Sequence, residues 1–291
     1  MDRRAFLAAG LAVTTTVAGC TGSGNPSDSD TTTTTTEATT TAEPTTTTES
    51  PIEGPKHGDD LPEDDEPNDG YPPTFETVPD ERTFADSEFG TLVQDGQKVT
   101  AASLDVCYYW YARGEARFVD ARGTGQYDTQ HVFGAVNSPA EGEVEDDPVT
   151  GWPEGDRTVC YCGCPHHLSS IRAAELQKNG YEDVYVIDEG YWQWNNRNYP
   201  MAGEAVGDEP SAITLVGVTD PKHAGETAWA IQEASDQIEA TAIESDGRYS
   251  MELKFEGLTG TTPIYVQTPE YEVRAPLADL TGSVVTGADF D

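Results

Sequence analysis

Between Ser103 and Asp188 the spacing of apolar residues switches repeatedly between a helical and a strand pattern. A helical pattern repeats about every three to four positions and commonly ends at glycine, whereas buried strands are short β-branched or aromatic runs. These rules predict a helix that begins after the N-cap Ser103 and ends at Arg113-Gly114, strands at 116–122, 157–162 and 184–188, and a helix at 168–179. Strands that alternate with helices indicate an α/β domain with a parallel sheet, whose functional groups lie at the carboxyl ends of the strands.

The pattern changes after residue 210. Short strand-like runs follow one another, separated by turns rich in Gly, Thr and Pro, at 213–218, 239–243, 249–255, 264–266 and 271–274. Asp246-Gly247 between two of these runs is a strong hairpin signal. We expect a small antiparallel β-sandwich over residues 210–291, without a catalytic constellation. It would contact either the α/β domain or a partner protein.

The first twenty residues have the pattern of an export signal. Arg3 and Arg4 precede an apolar run at 8–18, which is shorter than the roughly 20 residues that a membrane-spanning helix needs. The arginine pair resembles a twin-arginine signal, and the segment ending in Cys20 resembles a lipobox, in which the cysteine is lipidated. We therefore expect a signal peptide at 1–20 and a lipoprotein anchored through Cys20 to the cell membrane, on its extracellular side.

Residues 21–70 are dominated by threonine, proline and acidic residues. Such a segment has too little apolar surface to offset its conformational entropy, and it predicts a disordered linker. Folded structure is expected to begin between Tyr71 and Phe84.

The charge balance limits the partners of the protein. The chain has 53 acidic residues against 16 Lys and Arg, a formal net charge of -37. This charge repels phosphate backbones, so nucleic acid is not an expected partner. Molar salt would screen the self-repulsion. The composition is therefore typical of a halophilic protein, and together with the signal it indicates a haloarchaeal lipoprotein.

Three ordered groups of residues carry a family resemblance. They are residues 118–122 with Tyr127 and 131–137, then residues 159–162 entering 169–176, and finally residues 180–190 with Trp194 and Tyr199-Pro200. In this order they resemble a rhodanese homology domain, over residues 84–203. The resemblance implies a five-stranded parallel sheet flanked by helices. It also implies transfer of sulfane sulfur through a cysteine persulfide, from a small donor such as thiosulfate or a persulfide to a thiol acceptor.

The chemistry predicted from the residues lies in the loop Cys162-Gly163-Cys164-Pro165-His166-His167. A cysteine between a buried strand and a helix faces backbone N–H groups and the positive end of the helix dipole, which favour a thiolate or a persulfide anion. The strand pattern favours Cys162 as the nucleophile, whereas ungapped counting back from Ser170 favours Cys164. The sulfur-binding loop would also include Gly163, His166, His167, Ser169 and Ser170.

The supporting residues depart from the family pattern. Rhodanese domains usually carry an arginine in this loop, and here the nearest downstream arginine is Arg172, one turn into the helix. Asp120 and Arg122 lie at a strand end and could contact the cysteine loop. In rhodanese domains such residues more often hold the sheet edge together, so a structural role is predicted for them. Cys107 and Cys160 are predicted to be core thiols. His131 is predicted to hold a turn, and Trp192 and Trp194 are predicted to be packing residues.

Two alternatives to sulfur transfer remain open. Cys162, Cys164, His166 and His167 are four metal-binding side chains within six residues, so the loop could hold copper or zinc. A rhodanese module without turnover that binds a partner protein is the other alternative. No cofactor or metal is otherwise assigned to the site.

Overall fold

The computed structural model describes residues 52–59, 61, 69–142, 144 and 146–288. The predicted signal peptide, the lipidation residue Cys20 and most of the predicted linker lie outside these ranges. Within them, no helix combines the length and the apolar character that a bilayer crossing requires.

The first half of the described chain is an α/β region. Its strands and helices, in chain order, are β1 Gly90–Gln94, β2 Gln97–Ala102, α1 Leu104–Arg113, β3 Arg117–Asp120, α2 Thr124–Thr129, β4 His131–Val132, β5 Val136–Asn137, β6 Thr158–Tyr161, α3 His167–Lys178, β7 Val184–Ile187, α4 Tyr191–Asn196 and β8 Met201–Ala202. A short 3-10 helix at Asp86–Glu88 precedes β1. Strands β4 and β8 form a separate antiparallel pair.

The main sheet is mixed and has six strands in the order β1-β2-β7-β6-β3-β5. Strands β2, β7, β6, β3 and β5 pair in parallel, and β1 adds an antiparallel edge to β2. The expected α/β fold is therefore confirmed, but the expectation of a purely parallel five-stranded sheet is not. The hairpin of β1 and β2 has Asp95-Gly96 at its turn, both with positive φ. It lies before Ser103, where the predicted elements begin.

Alternation along the strands explains why the sheet is covered on both faces. On β6, Val159 and Tyr161 belong to the core cluster that includes α1 and α4, whereas Cys160 belongs to the cluster under α3. Successive side chains of a strand point to opposite faces. A strand that is buried at every position, as β6 is, therefore needs a helical layer on each side.

The start of the folded part differs from the expectation. Segment 52–57 packs on α1, where the Tyr108 hydroxyl donates to the Pro55 carbonyl and Lys56 Nζ lies 4.1 Å from the centre of the Tyr199 ring. The His57 N–H donates to the Asn198 carbonyl at 2.8 Å. The composition of residues 21–70 predicted that this segment belongs to the linker. In the structure, its backbone groups have hydrogen-bond partners in the α/β region.

The second half of the described chain is a β-rich region. Its elements are β9 Ile213–Val218, a 3-10 helix at Pro221–His223, β10 Thr227–Gln232, β11 Gln237–Ala242, β12 Arg248–Leu253, β13 Pro263–Gln267, β14 Glu272–Pro276 and α5 Leu277–Thr281. One antiparallel sheet has the order β11-β10-β13-β14, and β9 pairs with β12 in a second. Leu215, Met251, Ile264 and Val266 of the two sheets share one core.

The prediction that the strands on either side of Asp246-Gly247 pair with each other is wrong. The turn itself is present, with Gly247 at φ +86° and its N–H bonded to the Glu244 carbonyl at 2.9 Å. However, β11 pairs with β10 and β12 pairs with β9. Strand β10 was not predicted from the sequence. It pairs with β11, which the predicted hairpin would have paired with β12.

Candidate functional site

The cysteine loop lies where β6 passes into α3. Cys162 directly follows β6, and His166, with φ +60°, precedes the first helical residue His167. The Cys162 carbonyl accepts a hydrogen bond from the Tyr191 N–H at 2.8 Å, which fixes the start of the loop against α4. Gly190 permits this approach, because a Cβ there would lie 2.9 Å from the Cys164 carbonyl carbon.

Cys162 occupies the cradle expected at the end of the strand. Its Sγ lies 3.4 Å from Ser169 Oγ and 3.0 Å from the Cys164 carbonyl oxygen, and the residue is only 1% exposed. Burial raises the pKa of the Cys162 thiol, and the Glu239 carboxylate adds to this, but hydrogen bonds from the Cys164 thiol and from the hydroxyl and N–H of Ser169 outweigh both. The net result is a pKa below the ordinary cysteine value, which favours a thiolate.

Cys164 has a different environment. It is half-buried, and its Sγ lies 3.3 Å from His167 Nδ1 and 3.4 Å from Glu239 Oε2. The hydrogen bond that its thiol donates to Cys162, followed by burial and the negative charge of Glu239, raises the pKa of Cys164. Of the two thiols, Cys162 therefore loses its proton first.

The two histidines face different partners. His166 Nε2 lies 3.3 Å from Asp188 Oδ1, and burial lowers the pKa of His166 despite that carboxylate. His167 faces Cys164 and Glu239, and its hydrogen bond to Glu239 raises its pKa. Only His167 thus lies beside a loop sulfur and gains positive charge there.

The other predicted loop residues have backbone roles. Ser170 Oγ donates to the His167 carbonyl at 3.0 Å in the first turn of α3. A Cβ on Gly163 would lie 3.2 Å from Trp192 Nε1, so the loop passes tightly over that indole. Gly163, bonded directly to Cys162, and Ser170 both shape the backbone of the loop and of the first helical turn.

The three supporting residues lie in ion pairs. Arg122, 2% exposed, makes three side-chain hydrogen bonds to the fully buried Asp120, including a contact of 2.6 Å between Arg122 Nη2 and Asp120 Oδ2. Arg172 pairs with Asp147 and, at 2.8 Å, with Glu175. The structure thus gives Asp120 and Arg122 the sheet-edge role, and it turns Arg172 away from the loop.

The remaining cysteines and His131 have the predicted structural positions. Cys107 and Cys160 are fully buried, which confirms that they are core thiols, and burial raises the pKa of Cys160 to about 12. His131 Nδ1 lies 2.7 Å from the Tyr127 carbonyl oxygen, and the two rings stack with centroids 3.8 Å apart. Trp194 is fully buried, as predicted, and Trp192 is 6% exposed beneath the loop.

The β-rich region completes the site, which the sequence did not indicate. Glu239 of β11, 75 positions from Cys164, is 5% exposed and contacts its thiol. Ile231, Ile238 and Ala240 form an apolar cluster with Cys162 and Leu168. The Ile238 N–H also donates to Gln126 Oε1 of α2 at 2.9 Å. Glu239 is a single acidic residue within a strand, and nothing in the neighbouring sequence marks it as functional.

A cavity of about 190 Å³ lies beside the loop. Its lining includes His166, His167 and Ser170 from the loop and helix side, and Ala240 and Thr241 from β11. This volume is enough for a small molecule beside the loop histidines, and neither Cys162 nor Cys164 is among the lining residues.

The chain is similar to known proteins over the segment that contains this loop. The model of the rhodanese-like domain family matches residues 105–197. The thiosulfate sulfurtransferase GlpE of Shewanella oneidensis is 33% identical over 86 residues, which cover 28% of this chain and 78% of that protein. Among solved structures, the rhodanese-like domain of an Anabaena sp. protein aligns with a TM-score of 0.33 at 17% identity, over 39% of this chain and 86% of that one. A thiosulfate sulfurtransferase from Pseudomonas aeruginosa aligns with a TM-score of 0.31 at 21% identity, over 36% of this chain and 20% of that one.

Proposed function

Because the chain belongs to the rhodanese-like family, we propose that it is a sulfurtransferase that carries sulfane sulfur as a persulfide on Cys162. One observation carries this choice of residue. Cys162 Sγ lies at the carboxyl end of β6, within reach of the N–H and hydroxyl groups of Ser169 in the first turn of α3. A thiolate is the nucleophilic form of cysteine, and donors of this kind stabilise it.

The proposed reaction has two displacements. The Cys162 thiolate attacks the outer sulfur of thiosulfate, an S–S bond forms, and the bond to sulfite breaks so that sulfite leaves with its electron pair. An acceptor thiolate then attacks the terminal sulfur of the Cys162 persulfide, and Cys162 leaves as the thiolate. The Ser169 donors would stabilise negative charge on the sulfur in both steps.

The site favours a small sulfur donor. The cavity of about 190 Å³ beside His166 and His167 has room for thiosulfate or a low-molecular-weight persulfide. Within the described residues, His167 faces Cys164 directly and Lys254 adds positive charge that acts on the Cys164 sulfur. These charges would attract an anionic donor such as thiosulfate, and the carboxylate of Glu239 partly offsets them.

We infer that the protein acts outside the cytoplasm on a lipid anchor at Cys20, and that it works in high salt. The arginine pair, the lipobox pattern and the net charge of -37 support this. Expression in a haloarchaeal host should place the wild type in the membrane fraction, and Cys20→Ser should release it. Retention of the Cys20→Ser variant on the membrane would contradict the anchor.

Single-turnover transfer tests the nucleophile. The protein in molar KCl is treated with thiosulfate or a small persulfide, and intact mass is measured before and after an acceptor thiol is added. Cys162→Ser should prevent the gain of one sulfur atom and lower the transfer rate by about 1,000-fold or more, whereas Cys164→Ser should keep the added sulfur. Cys160→Ala is the matched control, because its thiol is buried in β6, two positions before Cys162. Equal activity in wild type and Cys162→Ser would contradict the proposal.

A further inference from the structure

Three side chains of different chemistry converge where the cysteine loop meets β11. Cys164 Sγ lies 3.3 Å from His167 Nδ1 and 3.4 Å from Glu239 Oε2, and His167 Nδ1 lies 3.8 Å from Glu239 Oε1. Ligand-type atoms of all three lie within 4.8 Å of one another. The sulfur transfer proposed above uses Cys162, so it leaves this group without an assigned role.

These separations fit one tetrahedral metal ion. Zinc bonds of about 2.3 Å to sulfur and about 2.0–2.1 Å to nitrogen or oxygen place the ligand atoms about 3.3–3.6 Å apart. The observed values of 3.3, 3.4 and 3.8 Å lie at or close to that range, so an ion would require only small side-chain adjustments. Three protein ligands would leave one position for water.

The environment of Glu239 is a second, independent observation. Its carboxylate is 5% exposed, and within the described residues no Lys or Arg nitrogen lies within 4.0 Å of it. Its contacts are the Ala240 N–H at 2.9 Å, the Cys164 thiol and His167. The nearest group that can carry positive charge is the His167 imidazole, whose Nδ1 lies 3.8 Å from Glu239 Oε1. A divalent ion bound directly to the carboxylate would offset the cost of its burial more fully.

We propose that Cys164, His167 and Glu239 bind one divalent transition-metal ion of the zinc type. The combination of a thiolate, an imidazole and a carboxylate suits zinc, whereas magnesium and calcium prefer oxygen ligands and copper(I) prefers sulfur. This set differs from the loop-only ligand set considered from the sequence. His166 faces Asp188 instead, and Cys162 is held by Ser169.

The ion would join two parts of the chain that are distant in sequence. Cys164 and His167 belong to the cysteine loop and α3, and Glu239 belongs to β11. An ion that binds only the folded state stabilises it by mass action. Zinc would therefore hold the β-rich region against the loop. Cys162 would keep its contact with Ser169 but lose the hydrogen bond from the Cys164 thiol, which would become a zinc ligand.

Metal binding can be measured without any activity assay. The full chain is stripped with a chelator and reduced, and Zn²⁺ is then titrated in competition with a chromophoric chelator. We expect one Zn²⁺ per chain. Cys164→Ser, His167→Gln and Glu239→Gln should each weaken binding by about tenfold or more, which is about 1.4 kcal/mol. Cys162→Ser should bind like the wild type, and so should His223→Gln, which alters a histidine paired with Glu226 in the β-rich region.

Cobalt gives a readout that does not depend on the variants folding equally well. Co²⁺ added to the wild type should produce the intense visible bands of a tetrahedral site and a sulfur-to-metal charge-transfer band. Cys164→Ser should lose the charge-transfer band, and Cys162→Ser should retain it. Failure of the folded wild type to bind Zn²⁺, or wild-type affinity in the three ligand variants, would overturn the proposal. Loss of binding in Cys162→Ser would also overturn this ligand set, whatever the outcome of the sulfur-transfer assay.

Discussion

The α/β region and the β-rich region meet at the cysteine loop, but they bring different groups to it. In the α/β region, Cys162 and Ser169 lie within a few positions of each other at the junction of β6 and α3. The β-rich region contributes Glu239 and the apolar cover of Ile231 and Ile238. Chemistry that depends on neighbouring residues is visible in a sequence, whereas a cover assembled by long-range strand pairing is not.

One ion pair from each region allows buried charge to be compared with exposed charge. The α/β region buries the pair of Asp120 and Arg122 almost completely, with side chains 0% and 2% exposed. The β-rich region keeps the pair of Arg248 and Asp246 in solvent, at 62% and 59%. Buried pairs are sensitive to loss of one partner, and exposed pairs contribute little. The predictions below test this contrast and the contact between the regions.

The largest effect is expected from Arg122→Met. This change keeps much of the apolar volume but leaves Asp120 buried without its cation, so the free energy of unfolding should fall by about 3–5 kcal/mol. Arg248→Met, the matched change in the β-rich region, should alter it by less than about 0.5 kcal/mol. Urea unfolding in molar KCl measures both values. Similar losses in the two variants would remove the contrast between the regions.

Gly125→Ala should disturb the contact between the regions. A Cβ at Gly125 of α2 would overlap the carbonyl oxygen of Ser235, in the turn between β10 and β11. We expect a loss of about 2–3 kcal/mol and faster alkylation of Cys162, because its cover would be displaced. Gly155→Ala is the control, since no atom lies within 4 Å of a Cβ there. An unchanged alkylation rate in a destabilised Gly125→Ala protein would show that β11 does not shield Cys162.

Gln126→Ala tests a single hydrogen bond between the regions. Gln126 Oε1 accepts from the Ile238 N–H at 2.9 Å and the Gly123 N–H at 3.1 Å, so alanine would leave two buried donors without this acceptor. The expected loss is about 1–2 kcal/mol, together with faster hydrogen exchange at the Ile238 amide. Gln177→Ala, which removes an exposed bond to the Lys98 carbonyl, should leave that amide unchanged. Unaltered exchange in Gln126→Ala would count against this contact.

The smallest effect concerns acid stability. Hydrogen bonding to Trp152 and the nearby Arg117 lower the pKa of Asp69 below its usual 3.8. Its stabilisation is therefore complete above that value and is lost as the pH falls through the lowered folded pKa. Asp69→Asn should be less stable than wild type by less than about 1 kcal/mol near neutral pH, and the difference should vanish in acid. Asp246→Asn, from an exposed pair, serves as the control, and a difference for Asp69→Asn that does not change with pH would contradict the assignment.

Local signals predicted the α/β region well where the elements are short-range structures. Ser103 caps α1 by accepting from the Val106 N–H at 3.4 Å, and Gly114 ends that helix at φ +65°. Both roles depend only on residues within the helix and its ends, so they are readable from the sequence. The β1–β2 hairpin was missed although it carries a local signal, Asp95-Gly96 at its turn. Strand β10 was also missed; it pairs with its neighbour β11 and with the more distant β13.

The charged residues show the same division. A structural role at a strand end was predicted for Asp120 and Arg122, which are two positions apart, and the structure adds that they pair with each other. For Arg172, one turn into the helix, the sequence named no partner, and tertiary contacts direct it to Asp147 and Glu175. A long side chain on a helix can reach several neighbours, and only the positions of those neighbours decide its partner.

The sequence by itself determined that a buried strand passes into a helix through a cysteine-rich loop, because β-branched runs, helix spacing and glycine stops act over a few residues. Only the tertiary structure decided which sulfur is covered and which faces a carboxylate. Cys162 is sealed by side chains of β10 and β11, and Cys164 meets Glu239 across 75 positions. Such contacts arise from the packing of whole sheets, whose long-range pairing leaves no local pattern in the chain.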